Sequence, residues 1–194
     1  MSLSAADLSS ELESIFNSAG ASGSLVTLEE VGDQIITAFL TWLKSAEINL
    51  SGSAVAPTLP TPTTTPATGQ SLNPNPGLVD AAYGVLYAAL LDDFDSDDPT
   101  GWPAFSAALM IFIPTLLIWS NEGGWTVADA IISPGVFSFA APHIVDEYSI
   151  ATIGEAADAH ANEFYNGVIG STVSSIIGGV FTTYVGAPVG SSIS

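Results

Sequence analysis

The chain has 194 residues, and 47% of them are hydrophobic, which is enough for one domain or two small ones with a sizeable core. It carries 20 acidic residues but only one base, Lys44, so its net charge is −19. Because nucleic-acid binding relies on lysine and arginine to neutralise phosphates, this balance excludes a nucleic-acid partner.

The acidic surface instead suits divalent cations or basic protein partners. Halophilic adaptation is a competing explanation, although charged residues make up only 11% of the chain. The absence of cysteine excludes disulfides and thiolate metal sites. The first residues lack the basic and apolar runs of a signal peptide, so we expect a cytoplasmic protein, or a virion component if the protein is viral.

The first 50 residues predict a helical hairpin. Residues 5–18 place apolar side chains at helical spacing after Ser4, a candidate N-cap. After a glycine- and serine-rich turn, Thr27 and Glu30 have the spacing of a capping box. The second helix should then run to about residue 45.

Residues 51–77 differ from the rest of the chain because they are rich in proline, threonine and glycine and carry no charge. Proline disfavours helices and central strands, so we expect an extended or polyproline-like segment. A flexible surface loop and an arm laid across a neighbouring subunit are both compatible with this composition.

Two strongly apolar segments follow in the region 78–194. Residues 78–91 are apolar nearly all round, which predicts a buried helix. Residues 102–120 form the longest apolar run, and a buried helix over 104–119 is its main interpretation. The alternative is a membrane segment, but the run is short of about 20 residues, contains Pro114 and has no basic flank. The membrane alternative remains open.

The remaining segments also favour helices. We expect a short helix over 125–132 and a long, glycine-interrupted helical element over 146–184. Aromatic residues recur at similar places near 39–43, 116–119 and 181–184, so the chain could contain three degenerate helical hairpins. The predicted fold is therefore mainly α, with hairpins packed as a bundle beside an extended arm.

An acidic loop precedes the central run. Asp93, Asp95 and Asp97 alternate in it, as a calcium site requires, although the EF-hand pattern is not met. The alternative is a solvated loop that caps the next helix. Calcium is thus the only candidate cofactor.

Catalytic motifs are not evident in the sequence. His160 lies one helical turn from Glu163, a pairing that could bind a metal or move protons, but a hydrogen-bonded structural role is favoured for it and for His143. No nucleophile motif or phosphate-binding loop occurs. We therefore expect a protein that is not an enzyme.

A short helix, a Gly/Ser turn, a longer helix ending in Phe39-Leu-Thr-Trp42-Leu and a neutral Pro/Thr/Gly segment together resemble the small helical structural proteins of tailed bacteriophage particles. The resemblance covers the first half of the chain. It implies a virion assembly subunit that packs against copies of itself or a larger structural partner. Large aromatics dominate interface energetics, so the candidate contact residues are Trp42, Trp102, Trp119 and Trp125. Internal core packing is the alternative for all four.

Overall fold

The fold is mainly helical, as the periodicity of the sequence predicts. The structure, a computed structural model, describes residues 3–21, 25–49, 53–56, 63–66, 71–96, 102–115, 119–120, 126–133, 152–169, 172–178, 185–186 and 189–193. Within these ranges, six helices hold more residues than nine short strands. Side-chain contacts are described for residues 3–21, 25–47, 73–96, 102–112 and 152–169.

Five long helices and one short helix form the packed body. In chain order they are α1 (Ala5–Gly20), α2 (Leu28–Leu43), α3 (Pro76–Ala81), α4 (Tyr83–Phe94), α5 (Pro103–Thr115) and α6 (Ile153–Ile169). The segment predicted as one helix over 78–91 is thus two helices that meet at Ala82.

Local signals fix where the helices begin. The side chain of Ser4 accepts a hydrogen bond from the amide of Asp7, which confirms the predicted N-cap of α1. Thr27 and Glu30 form the predicted capping box of α2, with bonds of 2.8 and 3.2 Å. Thr152 and Glu155 form an equivalent box at α6, which the sequence analysis missed. These bonds satisfy amides that a helix cannot pair internally.

Three phenylalanines from three helices meet at the centre of the core. The rings of Phe39 in α2 and Phe164 in α6 stack with centroids 4.2 Å apart, and Phe105 in α5 meets Phe164 edge-on at 5.7 Å. The largest fully buried side chains are Phe39, Phe105, Phe164, Leu8, Leu12, Ile35, Ile36, Leu43 and Leu86. The core thus draws on every long helix, which supports the predicted bundle.

A buried carboxylate connects α4 to α5. The two oxygens of Asp93, near the end of α4, accept hydrogen bonds from the amides of Ala104 and Phe105 at 3.0 and 2.8 Å. These are the second and third residues of α5, so Asp93 caps that helix from a neighbouring one. A carboxylate at a helix N-terminus also interacts favourably with the helix dipole. This contact holds α4 and α5 together as a hairpin.

A glycine permits the close approach of α2 to α4. Gly32 is buried, and a Cβ atom there would lie 3.2 Å from Cδ2 of Leu91, 3.5 Å from Cε2 of Tyr87 and 3.6 Å from Cε2 of Phe94. A side chain larger than glycine therefore requires the Leu91 side chain, and with greater size those of Tyr87 and Phe94, to move aside. Gly84, by contrast, has no atom within 4 Å of such a position.

The strands form an antiparallel sheet. They are β1 (Ile48–Asn49), β2 (Ser53–Ala56), β3 (Thr63–Pro66), β4 (Ser71–Pro74), β5 (Trp119–Ser120), β6 (Thr126–Ser133), β7 (Thr172–Gly178), β8 (Val185–Gly186) and β9 (Val189–Ile193). Their order is β3-β2-β8-β7-β6-β5-β4-β1-β9, and β9 also pairs with β7. The two longest strands, β6 and β7, pair along their whole lengths.

Two predicted helical segments are strands in the structure. Residues 126–133 form β6, although a helix was predicted over 125–132, and residues 172–178 form β7 within the predicted helical element 146–184. Both are rich in threonine, valine and isoleucine, which favour strands when a partner strand is present. The third helical hairpin is therefore not confirmed, because residues 172–178 of its predicted second helix form a strand and residues 181–184 lie outside the described part of the chain.

The proline- and threonine-rich segment contributes to the sheet. Its described residues up to 74 form β2, β3 and β4, which pair with one another or with strands from elsewhere in the chain. Its last two residues, Pro76 and Gly77, already belong to α3. An extended backbone was predicted there, but pairing with the C-terminal region was not. A contact with a neighbouring subunit stays a prediction.

The central apolar run is only partly helical. Helix α5 ends at Thr115, one residue after Pro114, and Trp119–Ser120 form β5. The predicted helix over 104–119 is therefore too long at its C-terminal end, because Trp119 lies in a strand. Among the described residues, no helix is both long and apolar enough to span a lipid bilayer.

Replacing Asp93 with alanine should lower the free energy of unfolding by about 1–3 kcal/mol, because two helix amides lose their acceptor. Urea denaturation measures the change. Asp92→Ala is the matched control, since Asp92 is exposed on the same helix and should change stability by no more than about 0.5 kcal/mol. Equal effects of the two substitutions would contradict the capping role.

Gly32→Leu should destabilise the fold by about 1–3 kcal/mol, because the leucine side chain has no free space between the closely packed helices α2 and α4. Gly84→Leu, in open space, should instead gain up to about 1 kcal/mol of helix propensity. Thermal unfolding followed by circular dichroism compares the pair. Stabilisation by both substitutions would show that α2 and α4 are not in close contact.

Candidate protein interaction surface

An apolar groove of about 350 Å³ lies between α3–α4 and α5. Its lining is composed of Leu78, Ala81, Ala82, Val85, Ala108, Ile111 and Phe112. None of these side chains is polar, and three of them are alanines. Small residues in its lining allow a partner side chain to approach the helix backbones closely. We call this feature the apolar groove.

Helical spacing brings these residues to one side of the molecule. Ala81 and Val85 are one turn apart, and Leu78 lies one turn before Ala81. On α5, Ile111 and Phe112 follow Ala108 by three and four residues. Positions three or four residues apart share a helix face, so each side of the groove is an apolar stripe. Two such stripes side by side are typical of grooves that accept a helix.

The groove exposes large apolar side chains. Ile111 is 70% exposed and Val85 is 64% exposed, and the neighbouring Met110 is 43% exposed. The prediction that the apolar segments 78–91 and 104–119 are buried is therefore wrong for the faces of α4 and α5 that line the groove. The other faces of these two helices are buried, through Leu86, Leu90, Phe105 and Leu109. Contiguous exposed apolar surface is characteristic of interaction sites.

The opposite face of α4 is attached to α2 by two tyrosines. The hydroxyl of Tyr83 donates to the carboxylate of Asp33, and the hydroxyl of Tyr87 donates to the backbone oxygen of Glu29 at 3.3 Å. The two rings stack with centroids 5.5 Å apart. The hydrogen bond to Asp33, with smaller effects of desolvation and of the Asp33 charge, raises the pKa of Tyr83 to about 12. These contacts fix the orientation of α4, so its other face is presented to solvent.

The one lysine of the chain connects the end of α2 to α3. Lys44, at the C-terminus of α2, forms an ion pair with Asp80, which precedes the groove residue Ala81. The sequence contains no other lysine or arginine. Any further ion pair with a side-chain lysine or arginine must therefore use a cation from another molecule.

A second, polar groove of about 510 Å³ runs between α1 and α2. It is lined by Glu11, Ser14, Ile15, Asp33, Gln34, Thr37, Ala38 and Thr41. Carboxylates and hydroxyls dominate this lining, in contrast to the apolar groove.

Two of the three predicted calcium ligands, Asp93 and Asp95, lie in the described part of the chain. Asp93 is buried and directs both oxygens to the amides of α5, which matches the alternative interpretation that this loop caps the next helix. Asp95 is exposed at the C-terminus of α4, and Asp97 lies outside the described residues. Within the described ranges, no three acidic or histidine side chains cluster as a metal site would require. Calcium binding stays a prediction.

The four predicted contact tryptophans occupy different settings. Trp42 is buried, and its ring nitrogen donates to the backbone oxygen of Ser4 at 2.8 Å, so its role is internal packing. Trp102 is half-buried and its ring lies 6.0 Å from those of Phe94 and Phe105. Trp119 is in β5, where its backbone pairs with Pro74 and Val127, and Trp125 lies outside the described residues. For Trp42 this matches the alternative of internal core packing, and an interface role for the other tryptophans stays a prediction.

His160 is buried in the core and contributes to packing. It is buried in α6, where Nδ1 lies 2.7 Å from the backbone oxygen of Ala156. Its ring centroid is 4.3 Å from that of Trp102 and 5.7 Å from that of Phe16, so it connects α1, α5 and α6. This agrees with the hydrogen-bonded role that the sequence favours. His143 lies outside the described residues.

The apolar groove was missed because the sequence analysis assigned apolar helices to the interior. A signal was nevertheless present, since residues 78–91 are apolar on more faces than one helical neighbour can cover. Such an excess of apolar faces indicates either complete burial or a partner.

Comparison with known proteins gives no indication of function. No protein-family model matches the chain, and neither the curated proteins nor the solved structures contain a match.

A spectrophotometric titration of tyrosine should show one component near pH 12 that Tyr83→Phe removes. Asp33→Asn should move this component towards the ordinary pKa of about 10. Because the folded pKa is raised, the stabilising contribution of this bond is fully present below about pH 10 and is lost as the pH rises through about 12.

The matched control for this titration is Tyr87→Phe, because Tyr87 donates to a backbone oxygen rather than to a carboxylate. It should leave the component near pH 12 in place. Persistence of that component in Tyr83→Phe would contradict the assignment.

Proposed function

We propose that the chain is a non-enzymatic structural subunit that joins a larger assembly by packing the apolar groove against a protein partner. The observation that carries this proposal is the exposure of Val85 and Ile111 side by side in a groove without polar lining. Covering an aliphatic side chain contributes about 1.5–3 kcal/mol. Two or three such side chains therefore provide the driving force of a specific contact.

The assembly that we propose is the particle of a tailed bacteriophage. The helical hairpin α1–α2 and the neutral segment after it support this assignment through their resemblance to small virion proteins. The partner is another protein of the particle, and the mechanism is the burial of apolar surface. The acidic helix faces would then point to solvent, to enclosed cations or to a basic neighbour.

The test is incorporation into particles. The chain is expressed with its neighbouring genes, assembled particles are purified, and the ratio of this chain to the major particle protein is measured by quantitative mass spectrometry. Ile111→Asp should lower that ratio at least about tenfold, because a carboxylate would have to be buried in the contact. The fold should survive the substitution, since position 111 is 70% exposed.

The matched control is Thr37→Asp, which adds the same charge on the exposed surface of α2, away from the apolar groove. It should be incorporated like the unaltered chain. Absence of the unaltered chain from purified particles would overturn the assignment to a virion. Equal incorporation of Ile111→Asp would overturn the role of the apolar groove.

A further inference from the structure

The side of the apolar groove formed by α4 leads to a carboxylate. Val85, Ala88 and Asp92 follow one another at intervals of three and four residues on α4, so they share one face of that helix. Asp92 is exposed and lies two turns, about 10 Å, beyond Val85. A partner that covers Val85 and continues along α4 therefore meets this carboxylate.

A basic residue on the partner is the group that best complements this position. The only lysine of the chain is already paired with Asp80, and no arginine is present. A second copy would bring another net charge of −19 to the groove and no unpaired lysine. The charge of this chain therefore opposes self-association through the groove and favours a partner that carries lysine or arginine.

The shape of the groove indicates a helix as the occupant. Its two sides are stripes with helical spacing, and its alanines leave room for large apolar side chains of the partner. We infer that the apolar groove binds an amphipathic helix of a different protein, with apolar residues along one face and a basic residue that pairs with Asp92. This inference rests on the proposed function and specifies the chemistry of its partner.

Two synthetic, fluorescently labelled helical peptides test this inference. Both carry leucine at positions i, i+3, i+4 and i+7, and one has lysine at each end of the apolar face where the other has glutamate. Placing the charge at both ends allows either orientation in the groove. Fluorescence anisotropy with the full chain gives the two dissociation constants at low and at high salt.

The lysine peptide should bind roughly two- to fivefold more tightly than the glutamate peptide at low salt. The preference should shrink in about 1 M salt, where the Debye length is about 3 Å. Asp92→Asn should reduce the preference for the lysine peptide. Glu13→Gln, which makes the same change of net charge at an exposed position of α1, should leave this preference unchanged. Ile111→Asp should weaken the binding of both peptides.

Three results would overturn the inference. They are equal affinity for the two peptides, an unchanged preference in Asp92→Asn, and a dimer of the unaltered chain that Ile111→Asp abolishes in light scattering. Unchanged binding of both peptides to Ile111→Asp would remove the groove as a docking site and the proposed function with it. Failure to enter particles, together with selective binding of the lysine peptide, would overturn only the assignment to a virion.

Discussion

The contact between the Asp93 carboxylate and the first turn of α5 determines how the second half of the helical body is arranged. Asp93 is the one buried acidic side chain among the described residues, and its two oxygens accept hydrogen bonds from helix amides. A buried carboxylate without such partners would be strongly unfavourable. Because the bond joins the end of α4 to the start of α5, it also sets the two apolar stripes side by side. The groove between them depends on this contact.

A protein with one lysine and no arginine has to stabilise nearly all of its carboxylates without lysine or arginine cations. The described side chains show how this is achieved. Asp33 accepts from a tyrosine hydroxyl, Asp158 accepts from the hydroxyl of Ser9, and Glu30 and Glu155 accept from backbone amides at helix starts. Hydroxyl and amide donors are neutral, so they satisfy these oxygens without reducing the negative charge of the surface. The fold is thus compatible with strong acidity.

Sequence reasoning succeeded where the signal was local. Ser4 and the Thr27–Glu30 pair mark helix starts within four residues. It failed for β6 and β7, because each strand is stabilised by pairing with the other. About forty residues separate the two strands in the sequence, so no local pattern shows that they pair. The apolar groove was missed for a related reason. Periodicity shows that Val85 and Ile111 are apolar, but which apolar faces remain uncovered is decided by how α2, α4 and α5 pack.

The scarcity of basic residues has a practical consequence for work with this protein. Trypsin, which cuts after lysine and arginine, has a single recognition site in the whole sequence, after Lys44. That site follows α2 directly, and its lysine is engaged by Asp80, so cleavage there reports on the junction between the first hairpin and α3. Acylating the same amine would leave the chain without a single cationic lysine or arginine.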